Sequence, residues 1–229
     1  NNQFTGSIPS EIDSLNYMNL ENNQLTGEIP ESICSISGYN IGNNQLCPPY
    51  PDCLNVDDWQ LENQNLSNCE GDGFIELWGE IYYIPTTTEI NLADNRIEGQ
   101  IPSEIGLLTN LTYLNLKINQ LTGSIPPEIG NLTNLTYLNL YSNNLTGEIP
   151  PEIGNLINLT YLNISHLDVS GNQLTGEIPS EIGNLTNLTY LNLGGNELTG
   201  DIPPSIGNLT NLTHLYLYSN QLTGGIPVE

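Results

Sequence analysis

The sequence predicts an α/β repeat solenoid, on three observations. An asparagine followed by x-Leu-Thr-Gly, or a close variant, stands at Asn2, Asn23, Asn44, Asn95, Asn119, Asn143, Asn172, Asn196 and Asn220, with steps of 21, 21, 51, 24, 24, 29, 24 and 24 residues. Periods of this size mark stacked supersecondary units, none of which buries its apolar side alone. Within a unit the apolar residues keep fixed offsets from that asparagine, as Leu138, Leu140, Leu145 and Ile149 do around Asn143. Each unit is also punctuated alike, with a glycine and then a proline after the asparagine, here Gly147 and Pro150.

Each element follows from this pattern. The Leu138-x-Leu140 pair sends two side chains to one face of a short strand, and the residues between and beside them point to the other. Gly147 permits a turn conformation closed to other residues, and Pro150 fixes φ and starts the far side of the unit. The run PPEIGNL reads as one helical turn, with proline early and glycine at its end.

Composition narrows the function. Hydrophobic residues make up 37% of the 229 positions, mostly leucine and isoleucine in register, enough for a continuous narrow core. The net charge is −24 and the only cations are Arg96 and Lys117, so there is no basic surface for a phosphate backbone or an anionic membrane. Glu104, Glu128, Glu152 and Glu181 would stack into a column that reads as a solvated acidic surface, and no D-x-D-x-D-G calcium loop occurs. A serine elbow, a phosphate loop and a metal-spaced His/Cys set are all absent. The expectation is a non-enzymatic protein with no cofactor and no metal.

The stretch LTNLTYLNLYSNNLTGEIPPEIGNL, from Leu132 to Leu156, fits LxxLxLxxNxLxGxIPxxIGxL. It resembles the plant-type leucine-rich repeat of receptor-kinase ectodomains and polygalacturonase inhibitors, and the resemblance covers most of the chain. It implies a curved stack with a parallel sheet on the concave face, a second short strand near LTGxIP, and a buried ladder of the repeated asparagines. Unpaired buried amides are costly, so a paired ladder is expected on physical grounds as well.

In chain order, residues 1–54 read as the end of one repeat array. Its closing turn, NQLCPPYPDCL, is similar to the disulfide C-terminal cap of plant-type arrays. Cys34, Cys47, Cys53 and Cys69 are clustered, even in number and without a CxxC, so they read as disulfides of an oxidising compartment. Three connectivities are open; the cap resemblance implies Cys47 with Cys53, leaving Cys34 with Cys69. Residues 55–88 read as a polar linker and then an N-terminal cap-like segment. There GFIELWGEIYY is similar to a W-G-V-x-C motif without its cysteine, and an irregular bridging coil is the alternative. Residues 89–229 are six regular units. The chain starts and stops in mid-repeat, and so reads as a portion of something longer. In the 29-residue unit, counting back from Asn172 puts Leu167 and Val169 in strand positions. The five extra residues then bulge between Leu156 and His166, and His166 and Asp168 face the concave side.

Two surfaces could carry function. The column six before each anchor holds Tyr113, Tyr137, His166, Tyr190 and His214; Asp168 and Tyr216 stand four before, and Tyr218 two before. Exposed tyrosines beside amides suit sugar faces or extended peptides. Eleven N-x-S/T sequons also occur. Asn110, Asn134, Asn163, Asn187 and Asn211 open those nine before the anchors, and the rest start at Asn65, Asn131, Asn144, Asn158, Asn184 and Asn208. The leading expectation is a glycosylated extracellular or cell-surface structural unit, joined end to end with copies of itself or with adjacent repeat domains in a fibre. The alternative is a recognition module, receptor-like or inhibitor-like, that binds a peptide, glycan or protein on the Tyr/Asn face.

Overall fold

The computed structural model describes residues 2–48, 50, 51, 53, 54, 61, 64, 65, 73–166 and 171–227. The chain divides into two compact units, Asn1–Tyr83 and Ile84–Glu229.

In the second unit each repeat contributes one rung to a six-stranded parallel sheet. The rungs are β8 (Glu89–Asn91), β10 (Tyr113–Asn115), β12 (Tyr137–Asn139), β14 (Tyr161–Asn163), β16 (Tyr190–Asn192) and β17 (His214–Tyr216), in that spatial order. Register is strict: Tyr113, Tyr137, Tyr161, Tyr190 and His214 are successive partners. A second parallel sheet comprises β9 (Glu98–Gln100), β11 (Gln120–Gly123), β13 (Asn144–Glu148) and β15 (Gln173–Thr175), at the predicted LTGxIP position. The PPEIGNL segments are 3₁₀ turns such as Pro127–Asn131, entered from Pro126 at φ −69° and closed by Leu132 N donating to Ile129 O. Between these three sides lies the core, where Leu114, Leu138, Leu162 and Leu191 from the strands and Ile129, Ile153 and Ile182 from the turns are fully buried.

The first unit repeats the plan. β2 (Tyr17–Asn19) pairs with β4 (Gly38–Asn40), and β1 (Thr5–Gly6), β3 (Gln24–Glu28) and β5 (Gln45–Cys47) form a second sheet. Its close extends beyond residue 54, into the stretch read as linker. Leu61 joins the core with Leu54, and Gln64 is a buried rung of the amide ladder. Gln64 Nε2 donates to Ile41 O at 3.0 Å, and its Oε1 accepts from Leu46 N at 3.1 Å. The segment read as cap-like is an antiparallel hairpin, β6 (Phe74–Leu77) with β7 (Glu80–Tyr83), turned at Trp78 and Gly79. Both turn residues have positive φ, 53° and 85°, as a two-residue hairpin requires.

The disulfide pairing implied by the cap resemblance is corrected: Cys34 is bonded to Cys53, with Cα atoms 5.7 Å apart. Cys34 lies in the 3₁₀ turn Glu31–Ser35 and Cys53 in the turn closed by Leu54 N donating to Pro51 O, and the bond joins these two turns. Cys47 is disulfide-bonded too, and Cys69 lies outside the described residues.

The inserted residues are also placed differently. β14 is Tyr161–Asn163, so the extra residues fall after the strand, between Ser165 and Asn172, and not upstream of His166. Counting forward along NLTYLN keeps the leucines in the core, which outweighs keeping a fixed distance to the next asparagine. Leu167 and Asp168 lie outside the described residues.

Candidate functional site

The repeated asparagines are structural. Asn143 Nδ2 donates to Leu116 O and Leu140 O at 3.0 and 3.1 Å, while its Oδ1 accepts from Leu121 N at 3.1 Å. Asn119, Asn172 and Asn196 make the same triple connection. Each amide thus binds its own repeat to the preceding one and satisfies buried main-chain groups of both.

The other face of the main sheet carries the site. Strand alternation sends Leu114, Leu138, Leu162 and Leu191 inward and the flanking tyrosines and asparagines outward. Tyr113, Tyr137, Tyr161 and Tyr190 stack ring on ring, with centroids 4.4, 4.4 and 4.5 Å apart and planes within 10° of parallel. Tyr190 then meets His214 at 5.7 Å and Tyr216 at 5.6 Å in tilted contacts. Every hydroxyl of the stack is held by the asparagine two residues on. Asn115, Asn139, Asn163 and Asn192 donate to Tyr113, Tyr137, Tyr161 and Tyr190 at 3.3, 3.0, 3.3 and 3.4 Å. A phenol that accepts such a bond keeps its own O–H to donate.

This stacking changes what the tyrosines can do. Tyr137 and Tyr161 have a neighbour on both faces, so no sugar ring can lie on them, and the surface they offer is a row of hydroxyls and ring edges. Burial pushes the Tyr161 phenol up to about 12, helped by Tyr137 and Tyr190 and partly offset by the bond from Asn163. Burial, then Tyr137, raises Tyr113 as well.

The predicted residues sort accordingly. Tyr113, Tyr137, Tyr190, His214 and Tyr216 come together in one column, and Tyr218 folds back across Gly194, its hydroxyl reaching His166 O at 3.5 Å. His166 is not a surface residue. It is buried, its main-chain N–H donates to Gly194 O, and Gly171 N donates to its Nε2 at 3.3 Å. Its place in the column belongs to Tyr161, which a forward count from LTYLN finds and a backward count from Asn172 misses. The same shift moves Asn163 out of its sequon column and into the sheet, where it is buried, and puts Asn158 in its stead. Among the described residues no group of three or more His, Cys, Asp or Glu could hold a metal ion, and no helix is long and apolar enough to cross a membrane.

Comparison with known proteins agrees with this architecture. The model described as "Leucine Rich repeats (2 copies)" matches residues 109–151, 163–203 and 186–224, and that described as "Leucine Rich Repeat" matches 14–36 and 86–108. Among solved structures, the chain is 32% identical to the Arabidopsis receptor kinase HAESA in complex with the peptide hormone IDA and the co-receptor SERK1. That match has a TM-score of 0.58 and covers 98% of this chain but 33% of HAESA, so the chain spans about a third of that ectodomain. It is 31% identical to a chain of the BIR3–SERK2 complex of Arabidopsis thaliana, with a TM-score of 0.51, covering 68% of this chain and 78% of that one. The ectodomain of the Arabidopsis thaliana receptor kinase SOBIR1 is 28% identical, with a TM-score of 0.54, over 68% of this chain and 85% of that one. Among curated proteins no match is found. HAESA and SOBIR1 are receptor kinases, and the SOBIR1 structure is that of its leucine-rich repeat ectodomain. By repeat pattern, strand register, asparagine ladder and these matches, the chain belongs to the leucine-rich repeat family.

Proposed function

We propose that the chain is an extracellular recognition module that binds an extended peptide segment of a partner protein across the main sheet. The observation that carries this reading is the row of four stacked tyrosines whose hydroxyls each accept from an asparagine and line one edge of the stack. Such a row suits a ligand rich in hydrogen-bond acceptors, and the carbonyls of an extended backbone supply them. Ring faces closed by stacking favour a peptide over a glycan, and a net charge of −24 disfavours an acidic one. Likeness to HAESA, crystallised with a peptide hormone, supports the reading. The fibre role expected from the sequence draws no support from these receptor relatives, and end-to-end association is not carried forward.

The test is a selection of random extended peptides on the 229-residue chain, with binders measured again on the Tyr137→Phe/Tyr161→Phe double variant. That variant keeps the rings and loses two hydroxyls. Binding weakened at least roughly tenfold, the equivalent of about 1.4 kcal/mol, with unchanged thermal unfolding supports the proposal. Binders indifferent to the change, or none at all, would overturn it.

A further inference from the structure

Apart from Asn163, whose amide holds Tyr161 on the ligand surface, the sequons stand off that surface, and eight of them fall in two columns that differ in what their amide nitrogens do. Asn110, Asn134, Asn158, Asn187 and Asn211 form a second ladder. Each Nδ2 donates to a carbonyl of the preceding repeat, of Pro85, Thr109, Thr133, Ile157 and Thr186 in turn, at 2.8, 2.9, 2.8, 2.8 and 2.8 Å. This nitrogen is the atom a glycan would occupy. All five side chains are exposed, so the obstacle is the bond itself: a sugar replaces one of the two N–H groups on a nitrogen already tied to the preceding repeat.

Asn131, Asn184 and Asn208 are differently placed. They are exposed as the ladder asparagines are, but each ends a 3₁₀ turn and none of the described residues holds its amide. Asn131 and Asn184 border an open groove of about 880 Å³ that runs past Gly106, Gly130 and Gly154, which leaves room for a carbohydrate. The same position is lost as a sequon in the two other repeats: Leu107 replaces the asparagine in one, and Ile157 replaces the threonine after Asn155 in the other. Leu107 and Ile157 are exposed at 50% and 54%, so core packing does not explain either change.

We propose that Asn131, Asn184 and Asn208 are the N-glycan acceptors of this array and that the Asn110 column is not. In the transfer, Nδ2 forms a bond to C1 of an oligosaccharide carried on a polyprenyl diphosphate. The C1–O bond to the diphosphate breaks, the diphosphate leaves with the electron pair, and Nδ2 gives up one proton. A glycan on Asn131 projects from the end of a turn and, although its Nδ2 lies beside Gly106, breaks no hydrogen bond between repeats. One on Asn134 stands in the ladder, and chains that carry it fold less well and are depleted from the secreted material.

The experiment is secretion of the 229-residue chain from a eukaryotic cell behind a signal peptide, with occupancy mapped by peptide mass spectrometry after enzymatic deglycosylation in heavy-oxygen water. Asn131, Asn184 and Asn208 should be occupied in most molecules and the five ladder asparagines in few. The Asn131→Gln/Asn184→Gln/Asn208→Gln variant should lose three glycans in mass and unfold at the temperature of the enzymatically deglycosylated parent. Occupancy of the ladder column equal to or above that of these three sites, or a chain bare at all three, would overturn the assignment. The map of the parent chain decides the matter even if the triple variant is poorly secreted.

Discussion

At the scale of single residues, the repeat imposes a conformation that not every residue suits. The position before most of the repeated asparagines is left-handed, occupied by Asn22 at φ 58°, Asn43 at 53°, Asp94 at 56°, Ser142 at 55°, Gly195 at 72° and Ser219 at 50°. Ile118 adopts it too, at φ 56°, where a β-branched side chain crowds its own backbone, and its 45% exposure means that burial returns little. Ile118→Asn should therefore stabilise the chain by about 1 kcal/mol, seen as a higher midpoint in urea at unchanged slope. Asn143→Leu should act in the opposite sense. It removes three hydrogen bonds and takes from the buried Leu121 N–H its partner, while Leu116 O and Leu140 O keep the bonds from Asn119 and Asn172, for a loss of roughly 1–3 kcal/mol by the same measurement. The asparagine ladder was legible in the sequence because a buried amide at a fixed offset must be paired. Gln64 was not, because one methylene more and a different spacing hide it from the repeat pattern.

At the scale of elements, the 3₁₀ turns and the tyrosine stack set how closely repeats approach. A Cβ on Gly130 would lie 2.5 Å from Glu152 O and 2.7 Å from Glu152 Cβ of the next turn, so Gly130→Ala must push two backbones apart. The expected cost is roughly 1–3 kcal/mol, the range for forced overpacking, read as a lowered thermal midpoint. Tyr137 touches a ring on either side, and each stacked pair contributes about 0.5–1.5 kcal/mol beyond burial. Tyr137→Ala should accordingly destabilise the chain by about 1–3 kcal/mol, whereas Tyr137→Phe should leave stability within about 0.5 kcal/mol of the parent. Strands, turns and their order were legible because leucine spacing dictates them. The position of the insertion was not, since an anchor counted backward and a strand counted forward disagree inside the 29-residue unit. Only the packing of Leu162 and Ile164 into the core decides between them. The direct contact between tyrosine rings was hidden for another reason: a column in sequence gives a rung spacing, but not the ring tilt that closes the faces to a ligand.

At the scale of the whole molecule, the chain has a net charge of −24 and, among the described residues, buries no carboxylate, so its response to pH is governed by phenols as well as carboxylates. Tyr161 in the second unit and Tyr50 in the first are both raised to about 12 from an ordinary value of 10.0, and burial is the leading cause in each. A phenol with a higher pKa folded than unfolded holds its proton more tightly in the native state. The stability it contributes is complete below about 10 and is lost as the unfolded chain ionises first, between about 10 and about 12. Ionising one rung of the stack also places a charge beside the next hydroxyl, so the second rung resists more than the first. The chain should thus keep its thermal midpoint from neutrality to about pH 9 and lose it steeply above pH 10. Tyrosinate absorbance should include a class delayed to the unfolding transition, to which Tyr50 and Tyr161 belong. In Tyr161→Phe the delayed class should shrink and the alkaline loss of stability should become shallower. Tyrosines that titrate together near pH 10, with no loss of structure, would mean that the stack does not shield its hydroxyls as the ring spacing requires.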